Sequence, residues 1–376
     1  MTQRLLISVI ALTVLATGLL CYGLWRETVE PSATPIAGFS APFVFGRFTI
    51  PEDNALTEES FALGRHLFYD PILSGSDQVA CATCHEQQLA FTDGQARRVG
   101  LSGEPLAFSS MSLVNLLWGQ RRFFWNGRST SLEEQALLPI QDPEEMNQDL
   151  DSLIEELSAS ARYRELFARA YGEVSAENIA KALATFMRML ISSDSKYDQF
   201  LRGEVKLSAL EEHGRKLFMA HPDVKVSLRG ANCIDCHSQF LTSGFRDALD
   251  GFSNNGLDDE AGLPEGLQAV TGDPAHRGLF KVPTLRNIAV TAPYMHDGRF
   301  ATLEEVMDHY NHGIKVSETL SPLISEADNS IEEGDRPVGL HLSEDEVQAV
   351  IAFLHTLTDK TFLSDPKLAN PFDGKN

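Results

Sequence analysis

Cysteine is scarce. The chain of 376 residues holds five cysteines; four stand in two matching short patterns and only Cys21 is left over, so no structural disulfide is available to the folded body. Basic charge is short as well. Lys and Arg number 31 against 53 Asp and Glu, a formal net charge of -22, which excludes nucleic acid as a partner because phosphate binding needs a basic surface. Histidine is missing from the whole stretch between Glu86 and Glu145, which therefore lacks the commonest nitrogen ligand for a metal. The one long uncharged apolar run is Leu5 to Trp25, and no low-complexity tract occurs. What remains is ordinary: a hydrophobic fraction of 43% supports packed cores, and the length allows two domains.

The paired cysteines read Cys81-Ala82-Thr83-Cys84-His85 and Cys233-Ile234-Asp235-Cys236-His237. Two thiols at that spacing can bond the two vinyl groups of one porphyrin while the adjacent histidine reaches its iron, so each pattern marks a covalently attached haem c. A zinc ribbon keeps its cysteine pairs roughly 15 to 20 residues apart, whereas these lie in opposite halves of the chain. Neither zinc nor a redox dithiol accounts for a histidine after each second cysteine. Two haems, with His85 and His237 as proximal ligands, are expected.

Residues 5–25 are long enough to cross a bilayer core as a helix. A cleaved secretory signal is the alternative, but a cut at Ala16-Thr17-Gly18 would leave an exposed apolar end from Leu19 to Trp25. That favours an uncleaved inner-membrane anchor. Either way the body is exported to the periplasm, in keeping with haem attachment outside the cytoplasm. Residues 1–26 then form the anchor or signal, and 27–50, rich in Pro, Gly and Ser, a tether.

The rest reads as a duplication. One unit opens with Leu63, Gly64-Arg65, Leu67 and Phe68 ahead of the first haem motif. The other opens with a Ser208/Glu211 capping box, Leu210, Gly214-Arg215, Leu217 and Phe218 ahead of the second. Beyond the motifs Asn115 matches Asn287, and Gly127-Arg128 to Glu134 matches Gly298-Arg299 to Glu305. Ile179, Leu183, Phe186 and Leu190 make one helical face; Val347, Val350, Ile351 and Leu354 make another, after a Ser343/Glu346 capping box. Residues 247–273, rich in Gly, Asp and Asn, read as a surface loop. The spacing predicts an all-α pair of cytochrome c-like haem domains over 51–195 and 196–365, followed by a tail over 366–376.

The two units differ where a sixth iron ligand belongs. In the second, Leu303, Val306, Met307 and Tyr310 share a helix face, so the Met307 thioether and the Tyr310 phenol both qualify, while His309 and His312 fall toward the surface. In the first, Pro139 stands opposite Tyr310, and proline cannot bind iron. The first haem is therefore expected to be open on its distal side and able to meet peroxide. Gln135 on the distal segment, and Glu145 beyond bends at Pro139 and Pro143, qualify as the groups that hold and protonate peroxide oxygens. Trp125 qualifies as an oxidisable relay or as core packing.

Leu63 to Pro71, Cys81 to His85, Phe91-Thr92-Asp93-Gly94, Phe124 to Arg128, Cys233 to His237 and Pro283 to Gly298 together resemble the bacterial dihaem cytochrome c peroxidase and MauG family. The resemblance spans roughly residues 51–357. It implies a peroxidatic haem on His85 with Gln135 and Glu145 distal to it, Trp125 between the haems, and an electron-transfer haem on His237. It settles the sixth ligand on Tyr310, as in MauG rather than the methionine of the peroxidases. It also implies calcium held by backbone carbonyls matching Thr291 and Pro293, with Ser109 where the family has asparagine. The expected function is reduction of hydrogen peroxide with electrons from a small redox protein, a cytochrome c or cupredoxin. The alternatives are a MauG-like oxidase of a protein substrate, or an electron-transfer cytochrome without catalysis.

Overall fold

The computed structural model describes residues 48–118, 122–238, 251–330 and 337–374, together with Ile36, Pro42 and Phe45. The apolar run at residues 5–25 lies outside the described residues. Among those described, no helix is long and apolar enough to cross a membrane.

The first half contains α1 (Glu58–Tyr69), the one-turn α2 (Cys81–Cys84), α3 (Leu132–Gln141), α4 (Leu150–Ala159), α5 (Ala161–Ala170) and α6 (Ala176–Arg188). A short α7 (Lys196–Leu201) leads to the second half, with α8 (Ala209–Met219), the one-turn α9 (Cys233–Cys236), α10 (Gln268–Thr271), α11 (Leu303–Asp308), α12 (Pro322–Ser325) and α13 (Glu344–His355). The expected capping boxes form at Ser208/Glu211 and Ser343/Glu346, where serine and glutamate satisfy each other's terminal amides.

Both halves are built on one helix crossing. Gly64 of α1 lies against the Ala182 carbonyl of α6, and Gly214 of α8 lies against the Ala349 carbonyl of α13. A side chain at either glycine would hold the helices apart, which gives the repeated Gly-Arg its structural reason. Around the first crossing Leu63, Leu67, Phe68, Ile179, Leu183 and Phe186 are buried; around the second, Leu217, Phe218, Val347, Val350, Ile351 and Leu354. Leu210 departs from its predicted inward face and is 49% exposed. The end of the chain crosses back: Phe362 and Leu368 join the first core, and Arg65 and Tyr69 donate to the Ala369 and Leu368 carbonyls.

The fold is helical but includes a short antiparallel ribbon, β1 (Phe252–Ser253) with β2 (Phe280–Lys281). From Gly251 onward the supposed surface loop packs inward, with Phe252 and Leu267 buried against Leu279. At Pro139 the helix continues, α3 running through it to Gln141 without the ladder bond to the Gln135 carbonyl that proline cannot make.

Candidate haem sites

At the first site α2 sets the Cys81 and Cys84 thiols on a single turn, both free of disulfides. His85 follows at the helix end, where its Nδ1–H donates to the Phe91 carbonyl at 2.7 Å. That bond fixes the tautomer and leaves Nε2 as the lone-pair donor a metal requires. Burial pushes the thiols up to about 12 and about 11 and holds the imidazole neutral. Two neutral thiols beside a neutral imidazole fit a thioether-linked haem.

Of the distal candidates, Glu145 lies near this turn. The Gln135 Oε1 is buried without a hydrogen-bond partner, an unmet acceptor with a cost of roughly 1–3 kcal/mol unless a ligand or water satisfies it. Glu145 is close enough for its charge to raise both thiols. Burial, then Asp142, raises its own carboxyl above the ordinary range, and Arg128 opposes them. The Arg128 guanidinium sits 3.6 Å from the centroid of the Phe124 ring and 3.8 Å from Glu145. Arg128 carries no sequence signal for this role beyond its place in the repeat.

At the second site α9 presents Cys233 and Cys236, neither in a disulfide, and the His237 Nδ1–H donates to the Pro283 carbonyl at 3.2 Å. Burial lowers His237 to about 4. These residues face a largely apolar cavity walled by Phe218, Leu285, Ile288 and Leu303. Val306, Met307 and Tyr310 line it too, as their shared face predicts. Burial lifts the Tyr310 phenol to about 12, so it ionises here only against a cation such as iron. The residues fit a second haem.

Two residues depart from the sequence reading. After α11 the chain widens into a π-helical turn, His309–Gly313, and His309 faces inward. It is 5% exposed rather than on the surface, and its Nε2–H donates to the Asn255 carbonyl. Asn255 itself was hidden in the polar stretch read as a loop, and its side chain donates to Tyr310.

Trp125 is 8% exposed and lines the second cavity, its indole N–H donating to the Ser109 carbonyl at 2.9 Å. Ser109 also donates its hydroxyl to the Met295 carbonyl. The Thr291 hydroxyl is turned to the Ile288 carbonyl, and among the described residues no cluster of three or more His, Cys, Asp or Glu could hold a metal ion. Direct hydrogen bonds from Ser109 to the Met295 and His296 carbonyls join the halves there.

The family described as di-haem cytochrome c peroxidase matches residues 58–206. The methylamine utilization protein MauG of Methylorubrum extorquens is 38% identical over 347 residues, covering 90% of this chain and 89% of that protein. The chain belongs to the dihaem cytochrome c peroxidase and MauG family. Cytochrome c551 peroxidase of Nitrosomonas europaea is 32% identical over 314 residues, covering 82% of this chain and 81% of that protein. A solved MauG-like protein associated with microbial copper homeostasis superposes with a TM-score of 0.77 at 34% identity, covering 89% of this chain and 99% of that one. This family member is thus a peroxide-acting oxidoreductase with two c-type haems.

Proposed function

We propose that this dihaem peroxidase reduces hydrogen peroxide at the haem held by Cys81, Cys84 and His85. Electrons would come from a small redox protein through the haem held by Cys233, Cys236, His237 and Tyr310. When bound, the haems supply the redox chemistry of O–O cleavage. The balance is one peroxide, two electrons and two protons giving two waters.

The observation carrying this reading is the inequality of the two sites. Tyr310 projects a phenol into the second cavity, whereas the matching position of the first half is Pro139, with Glu145 near the thiols of that half. Glu145 takes the proton from one peroxide oxygen and returns it to the other. The Gln135 carboxamide orients the leaving oxygen, and Arg128, held on Phe124, keeps Glu145 from staying permanently protonated. Trp125 joins the second cavity to the first half of the chain and serves as the relay. The acidic surface suits a basic donor. Export follows from covalent haem attachment, with residues 5–25 anchoring the body at the periplasmic face of the inner membrane.

The second reading is a MauG-like oxidase that draws its electrons from a protein substrate, favoured by tyrosine rather than methionine at position 310. Peroxide added to the diferric holoprotein separates the two. Rapid multiple turnover of a reduced cytochrome supports the first reading, and a long-lived oxidised form that such a donor discharges slowly supports the second. A protein that does not respond to peroxide is an electron-transfer cytochrome, and both readings fall.

A further inference from the structure

Asn255 reaches two atoms that could each bind the second iron. Its Nδ2 lies 3.2 Å from the Tyr310 oxygen and 3.4 Å from the Met295 sulfur. All three residues line the cavity that holds His237.

The backbone that carries this amide is firmly held. The main-chain carbonyl of Asn255 accepts from His309 Nε2 at 3.0 Å. The neighbouring Asn254 is 2% exposed and donates to the Ser317 and Thr319 hydroxyls. Two residues earlier the chain is paired in the β1–β2 ribbon. Met295 is fixed through its backbone, with φ at 75° and its carbonyl accepting from Ser109, but its thioether remains a long, adaptable arm.

An NH2 group has two hydrogens and no acceptor capacity. One N–H on a phenolate draws off negative charge and weakens its donation to a metal; the other, on a thioether, uses the lone pair that would bind that metal. We propose that Asn255 is a positioning residue which presents the Tyr310 oxygen to the second haem and keeps the Met295 sulfur from competing for it. The inference rests on the reading of Tyr310 as sixth ligand. It adds a choice between two ligands, made by a third residue.

The test uses the holoprotein with both haems attached and three variants: Asn255→Leu, Asn255→Ser, and Asn255→Leu combined with Met295→Leu. The readouts are the phenolate bands in resonance Raman spectra, the thioether-to-iron charge-transfer absorption and the midpoint potential of the second haem. In Asn255→Leu part of the phenolate signal is lost, a thioether band appears and the potential shifts upward, because methionine ligation raises haem potentials. Adding Met295→Leu restores the phenolate signal and moves the potential below that of the parent, since the phenolate then donates without an N–H drawing on it. Asn255→Ser is too short to span both atoms and shifts the same way as Asn255→Leu; it serves if the leucine variant does not accumulate with its haems. A parent with phenolate bands and Asn255 variants identical to it would overturn the role of Asn255 alone. A parent with no phenolate bands would overturn the Tyr310 reading and this inference together.

Discussion

Asn115 and Asn287 form the same clamp in the two halves of the chain. Both are fully buried with left-handed backbones, φ 61° and 62°. Each backbone N–H donates just beyond the helix that closes its half, to the carbonyls of Leu190 and Leu357. Each side-chain oxygen then accepts the N–H two residues further on, from Ser192 and Asp359. The clamps meet, because Asn287 also donates to the Ser192 hydroxyl and Ser192 to the Asp359 carboxylate. An alanine at either position loses buried hydrogen bonds and must hold a left-handed conformation. Asn115→Ala and Asn287→Ala should each cost about 2–4 kcal/mol in chemical denaturation of the holoprotein. Glycine at the same positions should cost less, since it loses the same side-chain hydrogen bonds but adopts the left-handed conformation without strain.

The two helix crossings make a second matched pair. A methyl group on Gly64 or Gly214 runs into a backbone carbonyl of Ala182 or Ala349, and a backbone cannot swing aside as a side-chain tip does. Gly64→Ala and Gly214→Ala should each destabilise by about 1–3 kcal/mol or more. Thermal melts followed at the haem absorption and by far-UV signal check this; an unchanged melt in either variant would mean that its helices separate freely.

Much of this was legible before any coordinates. The haem motifs are written in consecutive residues, and the duplication shows the same residue types in the same order twice, so the two attachment sequences, the helix faces and the matched asparagines could be read directly. Asn255 and His309 could not. Asn255 gains its meaning from a long polar segment folding back on the cavity, and a stretch rich in Gly, Asp and Asn looks the same whether it faces solvent or a buried phenol. His309 faces inward because the same polar segment covers that side of the helix, the Asn255 carbonyl accepting from the imidazole.

Glu145 gives a pH prediction with a definite sign. Its carboxyl is raised by burial, so it stays protonated to a higher pH than an exposed glutamate. A proton acceptor must be ionised, so peroxide cleavage should rise with pH through that raised value, level off above it and be lost as pH falls below it. Glu145→Gln should remove this limb and slow single-turnover cleavage by about 100- to 10,000-fold with both haems retained. Arg128 pulls the carboxyl downward, so Arg128→Leu should move the limb to higher pH without abolishing it. Stopped-flow rates across pH decide both; a Glu145→Gln enzyme with parental rates takes this residue out of the mechanism.

Met307 and Tyr310 remain the sharpest pair to separate, because both reach the second cavity and have opposite electronic consequences. The Tyr310 oxygen is met by an amide N–H from Asn255, an arrangement suited to a phenolate; Met307 is 3% exposed and packs in the second core. Tyr310→Phe should therefore abolish the phenolate signature of the second haem and alter its low-spin spectrum, while Met307→Leu should leave both intact and cost no more than about 1.5 kcal/mol of stability, as expected of a similar-sized apolar exchange. Tyr310→Met should raise the midpoint potential of that haem, since a thioether favours ferrous iron more than an anionic oxygen does. The reverse result, with the spectrum following Met307, would move the ligand back along the helix and make the second haem a methionine-ligated centre.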